Sequence, residues 1–299
     1  MNAAGTRCGN RRIPDWLKSG LPDAYSLEAV GSCVSGLGLN SICLEAACPN
    51  KRECFSRGEV TFLVLGRNCT RSCGFCNVTA AAPEAVDPRE PALVAEAASM
   101  MGLEHVVMTS VTRDDLADGG AGHFRACVKA LKACGPSPTV EVLVPDFGGD
   151  RTAVETVAAS GADVFGHNLE TVERLCPRVR DRACYSRSLR VLECARRQSG
   201  SLVVKSGLMV GLGETVEEVK SAMRDLAGVG CDVVTVGQYM RPSKAHVPVV
   251  RYFEPEVFAE LDRYAGGLGM VSVCGPRVRS SFGAGPAFRR ARLRRQTCA

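Results

Sequence analysis

Thr61-Phe-Leu-Val-Leu-Gly66-Arg-Asn-Cys69-Thr-Arg-Ser-Cys73-Gly-Phe-Cys76 is the stretch on which the reading of this chain turns. Its first half is a short apolar run closed by glycine, the pattern of a buried strand. Its second half is a loop that carries three cysteines in Cys-x3-Cys-x2-Cys spacing. From Thr61 onward, comparable runs alternate with longer stretches of helical periodicity, which predicts βα units around a parallel sheet. The candidate strands are Thr61–Gly66, His105–Thr109, Val140–Val144, Asp163–Phe165, Leu202–Val210 and Asp232–Val236. Between them lie helical stripes such as Leu93, Val94, Ala97, Ala98 and Met101, spaced to lay one apolar face on a sheet.

Gly102, Gly161 and Gly230 each stand where a helix should end and a strand begin, and glycine takes the left-handed cap conformation cheaply. Six right-handed βα units predict an α/β fold, a partial (β/α)6 TIM-like barrel, with a doubly wound sheet as the alternative. In either, chemistry belongs at the carboxyl ends of the strands. Residues 1–58 read as an N-terminal extension, 59–275 as the barrel and 276–299 as a C-terminal segment with a basic run, Arg289, Arg290, Arg292, Arg294 and Arg295.

Three thiolates on one loop can hold three irons of a 4Fe–4S cluster and leave the fourth open to a ligand. A structural zinc site is the alternative, but it normally wants four ligands, often as two Cys-x2-Cys pairs, and only one such pair is present. A second group, Cys43, Cys48 and Cys54, has Cys-x4-Cys-x5-Cys spacing and precedes the first barrel strand. By spacing alone it is a weaker signal. The chain has sixteen cysteines in 299 residues, which points to metal or redox chemistry in a reducing compartment. The ten outside the two groups, among them Cys8, Cys127, Cys134, Cys184, Cys194 and Cys231, read mostly as small buried apolar side chains.

Composition sets limits on the rest. With 45% hydrophobic and 23% charged residues the chain can bury a core, and no apolar run is long enough to cross a membrane. The opening residues lack a secretion-signal pattern, so a cytoplasmic protein is expected, and a net charge of +5 does not demand nucleic acid.

The first cysteine loop resembles the signature of the radical S-adenosylmethionine superfamily, in which that ligand chelates the open iron. The order of motifs is similar to that of lipoyl synthases from about Arg12 to Ala284. It runs through Ile13-Pro-Asp-Trp-Leu-Lys, both cysteine groups, Thr109-Ser-Val-Thr-Arg-Asp-Asp-Leu, Val140-Glu-Val-Leu-Val-Pro-Asp-Phe, His167-Asn-Leu-Glu-Thr, Lys205-Ser-Gly-Leu-Met-Val-Gly-Leu-Gly-Glu, Gly237-Gln-Tyr-Met-Arg-Pro-Ser and Arg279-Ser-Ser-Phe. The resemblance implies two 4Fe–4S clusters and S-adenosylmethionine, with sulfur inserted at carbons six and eight of a protein-bound octanoyl chain. It implies that Cys69, Cys73 and Cys76 hold one cluster, that Cys43, Cys48, Cys54 and Ser281 hold the other, and that Arg279 and Ser281 are the catalytic pair. Without it, Ser280 and Ser281 read as a polar turn.

For S-adenosylmethionine the resemblance implies Phe75 and the Gly207, Gly211, Glu214 run beside the adenine, and Asn168 and Glu170 lie where ribose could be held. Phe75 could equally be loop packing. His167 reads as structural, and Arg113, Asp114 and Asp115 as either a polar rim or a salt-bridged loop. The implied partners are octanoylated lipoyl carrier domains or glycine-cleavage H protein, reduced ferredoxin or flavodoxin, and an iron–sulfur cluster carrier, without nucleic acid or membrane. Such carriers tend to be acidic, so the run from Arg289 to Arg295 is a candidate for steering them, with a solvated tail as the alternative. Arg67, Leu44 and Phe282 depart from the family's usual residues. The rivals are a biotin-synthase-like or methylthiotransferase-like enzyme and a two-cluster electron carrier.

Overall fold

A computed structural model describes residues 13–18 and 24–298; Cys8, Arg12, Gly20 and Pro22 lie outside them. The helical extension consists of α1 (Ala24–Gly36), α2 (Ile42–Glu45) and α3 (Lys51–Ser56), with the two-residue strand β1 (Asn40–Ser41) between α1 and α2. Barrel strands β2 (Thr61–Val64), β3 (His105–Ser110), β4 (Thr139–Leu143), β5 (Val164–Gly166), β6 (Val203–Val210), β7 (Val233–Gln238) and β8 (Val271–Gly275) follow. Between and after them come α4 (Glu90–Met100), α5 (Ala121–Lys132), α6 (Arg151–Ala158), α7 (Cys176–Val179), α8 (Tyr185–Gln198), α9 (Val216–Gly228), α10 (Pro255–Gly267) and α11 (Ala284–Cys298).

The sheet order is sequential from β1 to β8. Strands β2 to β8 are parallel, while β1 pairs antiparallel with β2 and covers its free edge. The first and last strands do not pair, so the barrel stays open. All six expected strands are present within a residue or two, but the count was one short: β8 is a seventh parallel strand. Its Val-Ser-Val-Cys-Gly sequence alternates polar residues and is buried only at Val271, so it lacks the continuous apolar run that marks strands covered on both faces, such as β2.

Local chemistry fixes the units. Gly102, Gly161 and Gly230 have φ of 60°, 98° and 79°, as the helix-ending reading requires. Helix α9 opens with a reciprocal capping box between Thr215 and Glu218 and buries Val219, Ala222, Met223 and Leu226, one stripe at helical spacing. In the barrel interior Lys205 Nζ on β6 meets Glu141 Oε1 on β4 at 2.6 Å, with His105 Nε2 3.5 Å from the other carboxylate oxygen.

The basic C-terminal run is a solvated helix face and not a tail, with Arg289, Arg290, Arg292 and Arg294 exposed and none of the run lining the cavity at the carboxyl ends of the strands. It lies on α11, whose Ala287, Phe288 and Ala291 are buried against Val164, Val203, Val233 and Val271, the first residues of four strands. Arg295 donates to Asp232 at 2.8 and 2.6 Å, just before β7. Burying a side chain of Phe size contributes roughly 1.5–3 kcal/mol, enough to hold the helix across the amino end of the barrel. The cysteine loops are at the other end. Among the described residues no helix is long and apolar enough to cross a membrane.

Candidate active site

At the carboxyl ends of the strands lies a cavity of about 580 Å³, lined by residues of the extension, of loops along the sheet and of the C-terminal segment. Cys69, Cys73 and Cys76 line it, as do Cys43 and Cys48, and Ser281 and Arg279 join them. Cys54 is half-buried and does not line the cavity, but it lies within electrostatic range of Cys43 and Cys48. Five of the six thiols and one alcohol therefore line a single cavity, with the sixth thiol adjoining two of them, a donor set that suits iron–sulfur clusters. Among the described residues no three His, Cys, Asp or Glu side chains gather around a point that one ion could fill.

The first loop is held from several sides. Cys69 N–H donates to Thr79 O at 2.8 Å, Cys76 N–H to Cys73 O at 3.0 Å, and Gly74 N–H to Val179 O at 2.9 Å. Val247 N–H donates to Gly74 O at 2.8 Å, and His246 Nε2 lies 3.0 Å from Cys76 O. Gly74 has little choice of side chain, since a Cβ there would stand 2.9 Å from Val247 Cγ1. The adjoining Arg113 and Asp115 form a two-bond ion pair at 2.9 and 2.8 Å, and Arg113 also donates to Leu65 O, which favours the salt-bridged loop over the polar rim. Arg67 is exposed and pairs with Glu84 at 3.4 Å.

The second trio sits on a helical hairpin. Ser41 caps α2 by accepting Cys43 N–H at 3.2 Å and itself donates to Thr61 O on β2. Cys48 N–H donates to Cys43 O at 3.1 Å, and Cys54 N–H to Asn50 O at 2.9 Å. The distant serine segment is clamped to this hairpin: Arg277 pairs with Glu53, Asn50 Nδ2 donates to Arg277 O at 2.5 Å, and the Arg57 guanidinium lies 5.1 Å from the centre of the Phe282 ring. Beneath it Gly237 allows a close approach, since a Cβ would come within 1.9 Å of Val278 O.

The two serines differ. Both line the cavity, but Ser280 accepts from Asn168 Nδ2 at 2.6 Å, whereas Ser281 makes no side-chain hydrogen bond among the described residues. Arg279 is half-buried within electrostatic range of Cys48 and donates only to its neighbour's carbonyl, Val278 O, at 2.6 Å; desolvation pulls its pKa down.

Burial dominates the thiols. It raises Cys43 and Cys73 and pushes Cys54 and Cys76 up to about 12, so at neutral pH these sulfurs hold protons until a metal displaces them. Burial also raises Glu170, which accepts from Asn168 Nδ2 at 3.0 Å on the cavity wall. His167 is pushed down to about 4 by burial and bridges Val144 O and Ser188 Oγ, each at 2.9 Å, in keeping with a structural role.

Phe75, Asn168 and Glu170 line the cavity, but Gly207, Gly211 and Glu214 do not. Gly207 lies under the C-terminal segment, where a Cβ would meet Asn168 Oδ1 at 2.8 Å and Ser280 Oγ at 3.1 Å. Gly211, at φ 107°, leaves room for Gln238 and Arg251 O. Glu214 folds back to accept the N–H groups of Gly211 and Leu212 and so closes the turn. The wall itself is made by Leu208 and Met209 of the same run. Two further buried polar residues line the cavity: Arg180, which the sequence reading did not single out, and Gln238, which entered it only within the Gly237-Gln-Tyr-Met-Arg-Pro-Ser stretch.

An open parallel barrel with three cysteines after its first strand defines the class. Residues 63–226 match the radical SAM superfamily. Among solved structures, methylornithine synthase (PylB) superposes with a TM-score of 0.55 at 15% identity, covering 84% of this chain and 72% of that one. The maturase HydG of Carboxydothermus hydrogenoformans does so with a TM-score of 0.56 at 14% identity, covering 78% of this chain and 56% of that one. At these identities the likeness is one of fold. The chain is a radical SAM enzyme.

Relatives in sequence narrow this. The lipoyl synthase of Caldicellulosiruptor saccharolyticus is 50% identical over 270 residues, 90% of this chain and 95% of that one. That of Nitratidesulfovibrio vulgaris is 50% identical over 289 residues, 96% of each, and the mitochondrial lipoyl synthase of Clavispora lusitaniae is 49% identical over 284 residues, 93% of this chain and 73% of that one. The chain belongs to the lipoyl synthase family. It is thus a sulfurtransferase that works with two 4Fe–4S clusters and S-adenosylmethionine on lipoyl carrier domains.

Proposed function

We propose that Cys69, Cys73 and Cys76 hold the cluster that binds S-adenosylmethionine, and that Cys43, Cys48, Cys54 and Ser281 hold the cluster that gives up sulfur. When bound, these groups supply a carbon-centred radical and the sulfur atoms, chemistry that no side chain of the chain can perform on unactivated methyl and methylene carbons. The residues' own work is positional. Phe75 offers a ring to the adenine, while Asn168 and Glu170 offer an amide and a carboxylate to the ribose. The turn from Gly211 to Glu214 sets the Leu208–Met209 wall behind them. Arg279 brings a half-buried cation to the second trio, and Ser281 a hydroxyl free to ligate. As an oxygen ligand Ser281 is harder than thiolate and is the corner at which that cluster would open.

The octanoyl chain enters between the two trios. Its carrier is an octanoylated lipoyl domain or glycine-cleavage H protein, its electrons come from reduced ferredoxin or flavodoxin, and an iron–sulfur carrier rebuilds the spent cluster. The sixteen cysteines support a reducing compartment such as the cytoplasm. By function the chain divides into an extension to residue 58 for the sulfur-donating cluster, a barrel over 59–275 for the radical, and 276–299 for the serine and the closing helix.

The observation that supports this is the shared cavity: Cys69, Cys73 and Cys76, with Cys43, Cys48 and Ser281, line one space, and Cys54 adjoins Cys43 and Cys48. Anaerobic reconstitution tests it. The wild type should hold two clusters, Cys43→Ala should keep S-adenosylmethionine cleavage and lose sulfur insertion, and Cys69→Ala should lose both. A Cys43→Ala enzyme that still makes lipoyl product would refute the division of roles.

A further inference from the structure

Between the first two cysteines of the loop after β2 stands Arg71, an arginine buried to 7% exposure. Its guanidinium grips both carboxylate oxygens of Asp114, through Nε at 2.9 Å and Nη2 at 2.7 Å. Its remaining nitrogen, Nη1, lies 2.9 Å from Oδ1 of Asp146, whose side chain is fully buried and also accepts from Arg187 at 3.1 Å. Asp114 is on the loop after β3, Asp146 on the loop after β4, and Arg187 on α8. One planar fork therefore ties the cysteine loop to two neighbouring loops and, through Asp146, to a helix.

A second set of bonds closes the same junction. Thr70 N–H and Oγ1 both donate to Thr112 O, at 3.1 and 2.9 Å, and Asp114 N–H donates to Thr70 Oγ1 at 3.1 Å. The result is felt at Cys69. Its Sγ receives the backbone N–H of Thr112 at 3.3 Å and that of Arg71 at 3.5 Å, and both donors belong to the segments that the fork clamps together.

We propose that Arg71 is a positioning residue for the S-adenosylmethionine-binding cluster: its fork on Asp114 and Asp146 keeps Cys69 Sγ under two amide donors and thereby sets the reduction potential at that loop. This rests on Cys69 being a ligand, as proposed above. Amide N–H groups aimed at a cysteine sulfur favour the more negative, reduced state and raise the potential. Lysine cannot substitute, because it delivers a point charge to one acceptor where the planar guanidinium reaches two carboxylates. An arginine that acted only as a nearby cation would be replaced by lysine without loss, so Arg71→Lys separates geometry from charge.

The test uses the reconstituted holoenzyme and a stepwise reductive titration followed by electron paramagnetic resonance, with iron counted per chain. In Arg71→Lys and Arg71→Met, the ratio of reduced to oxidised first cluster at a fixed solution potential should fall about tenfold, or about 59 mV for one electron, while the second cluster titrates as in the wild type. Asp114→Asn should reproduce the shift. Loss of the first cluster alone from Arg71→Met would also support the role, since the damage is confined to the clamped loop. If Arg71→Met fails to fold, Arg71→Lys decides. A fully loaded Arg71→Lys with wild-type ratio and spectrum overturns the inference. A wild type that never holds a cluster at Cys69, Cys73 and Cys76 overturns instead the ligand assignment on which it stands.

Discussion

Gly237→Ala should separate radical generation from sulfur insertion. The glycine is on β7, directly beneath the segment that carries Arg279 and Ser281, and a Cβ would stand 1.9 Å from Val278 O and 2.8 Å from Val278 C. A relaxed carbon–oxygen contact needs about 3.3 Å, so the segment has to lift by about 1.4 Å. It is backbone that must move, and it is pinned on the far side by the Arg277–Glu53 pair and the bond from Asn50 to Arg277 O. Overpacking of this kind costs about 1–3 kcal/mol of stability, which the fold can survive. Function is less forgiving, because metal–ligand distances tolerate only about 0.2 Å and misplacing a reacting group by about 1 Å can cost 10²-fold. The first trio is on the loop after β2 and does not share this segment. The variant should therefore keep most of its S-adenosylmethionine cleavage, reduced only through the Ser280–Asn168 bond that the lift disturbs, while lipoyl product falls about 10²-fold. Gly275→Ala is the control: its Cβ would meet only the movable Val278 Cγ2, at 3.2 Å, and it should behave like the wild type. Product formation by Gly237→Ala within about threefold of wild type would refute the reasoning, as that is far short of the predicted loss.

Other outcomes follow from the same geometry. Lys205→Met leaves the Glu141 carboxylate in the barrel interior with only His105, 3.5 Å away, and without its cation, where Lys205 and Glu141 are 4% and 2% exposed, and should cost about 3–5 kcal/mol in denaturant unfolding. The raised thiols stay protonated in the folded metal-free chain, whereas unfolded cysteine ionises from about 8.5. Their stabilisation is thus whole below that value and is lost as pH climbs toward the folded value of about 12 at Cys54, Cys76 and Cys231. Thermal melts should show the metal-free protein losing more stability between about pH 8 and about pH 10 than the cluster-loaded protein, whose ligating cysteines are already thiolates. Neutralising Arg289, Arg292 and Arg294 on α11 should leave the affinity for the octanoylated carrier unchanged at low salt, because that helix closes the end of the barrel away from the cavity. Tighter carrier binding by the wild type in a titration would return the basic run to the docking surface.

Much of the architecture was legible because βα units advertise themselves locally. Apolar runs such as Thr61–Val64, the helix-ending glycines Gly102, Gly161 and Gly230 and the 3.6-residue stripes all follow from short-range sterics and burial. β8 escaped because its half-exposed alternation resembles a loop, and α11 because five arginines masked the stripe of Ala287, Phe288 and Ala291. Cysteine spacing announced both trios, since three thiols must come from neighbouring positions to share a loop. What sequence could not supply was the long-range convergence, in which residues near 277 clasp a hairpin near 53 and Gly207 proves to seat Ser280 rather than face the cavity. Nor could it tell Ser280 from Ser281; a single hydrogen bond to Asn168 does that.

The central claim is that sulfur leaves the protein's own second cluster for the octanoyl chain in the shared cavity. A single-turnover reaction with enzyme reconstituted in isotopically heavy sulfide, then offered octanoylated carrier and S-adenosylmethionine without free sulfide, tests it most directly. Mass spectrometry of the product should find both sulfur atoms heavy in the wild type and no product from Ser281→Ala. Light sulfur in the product, or heavy product from an enzyme lacking Cys43, Cys48 and Cys54, would contradict it.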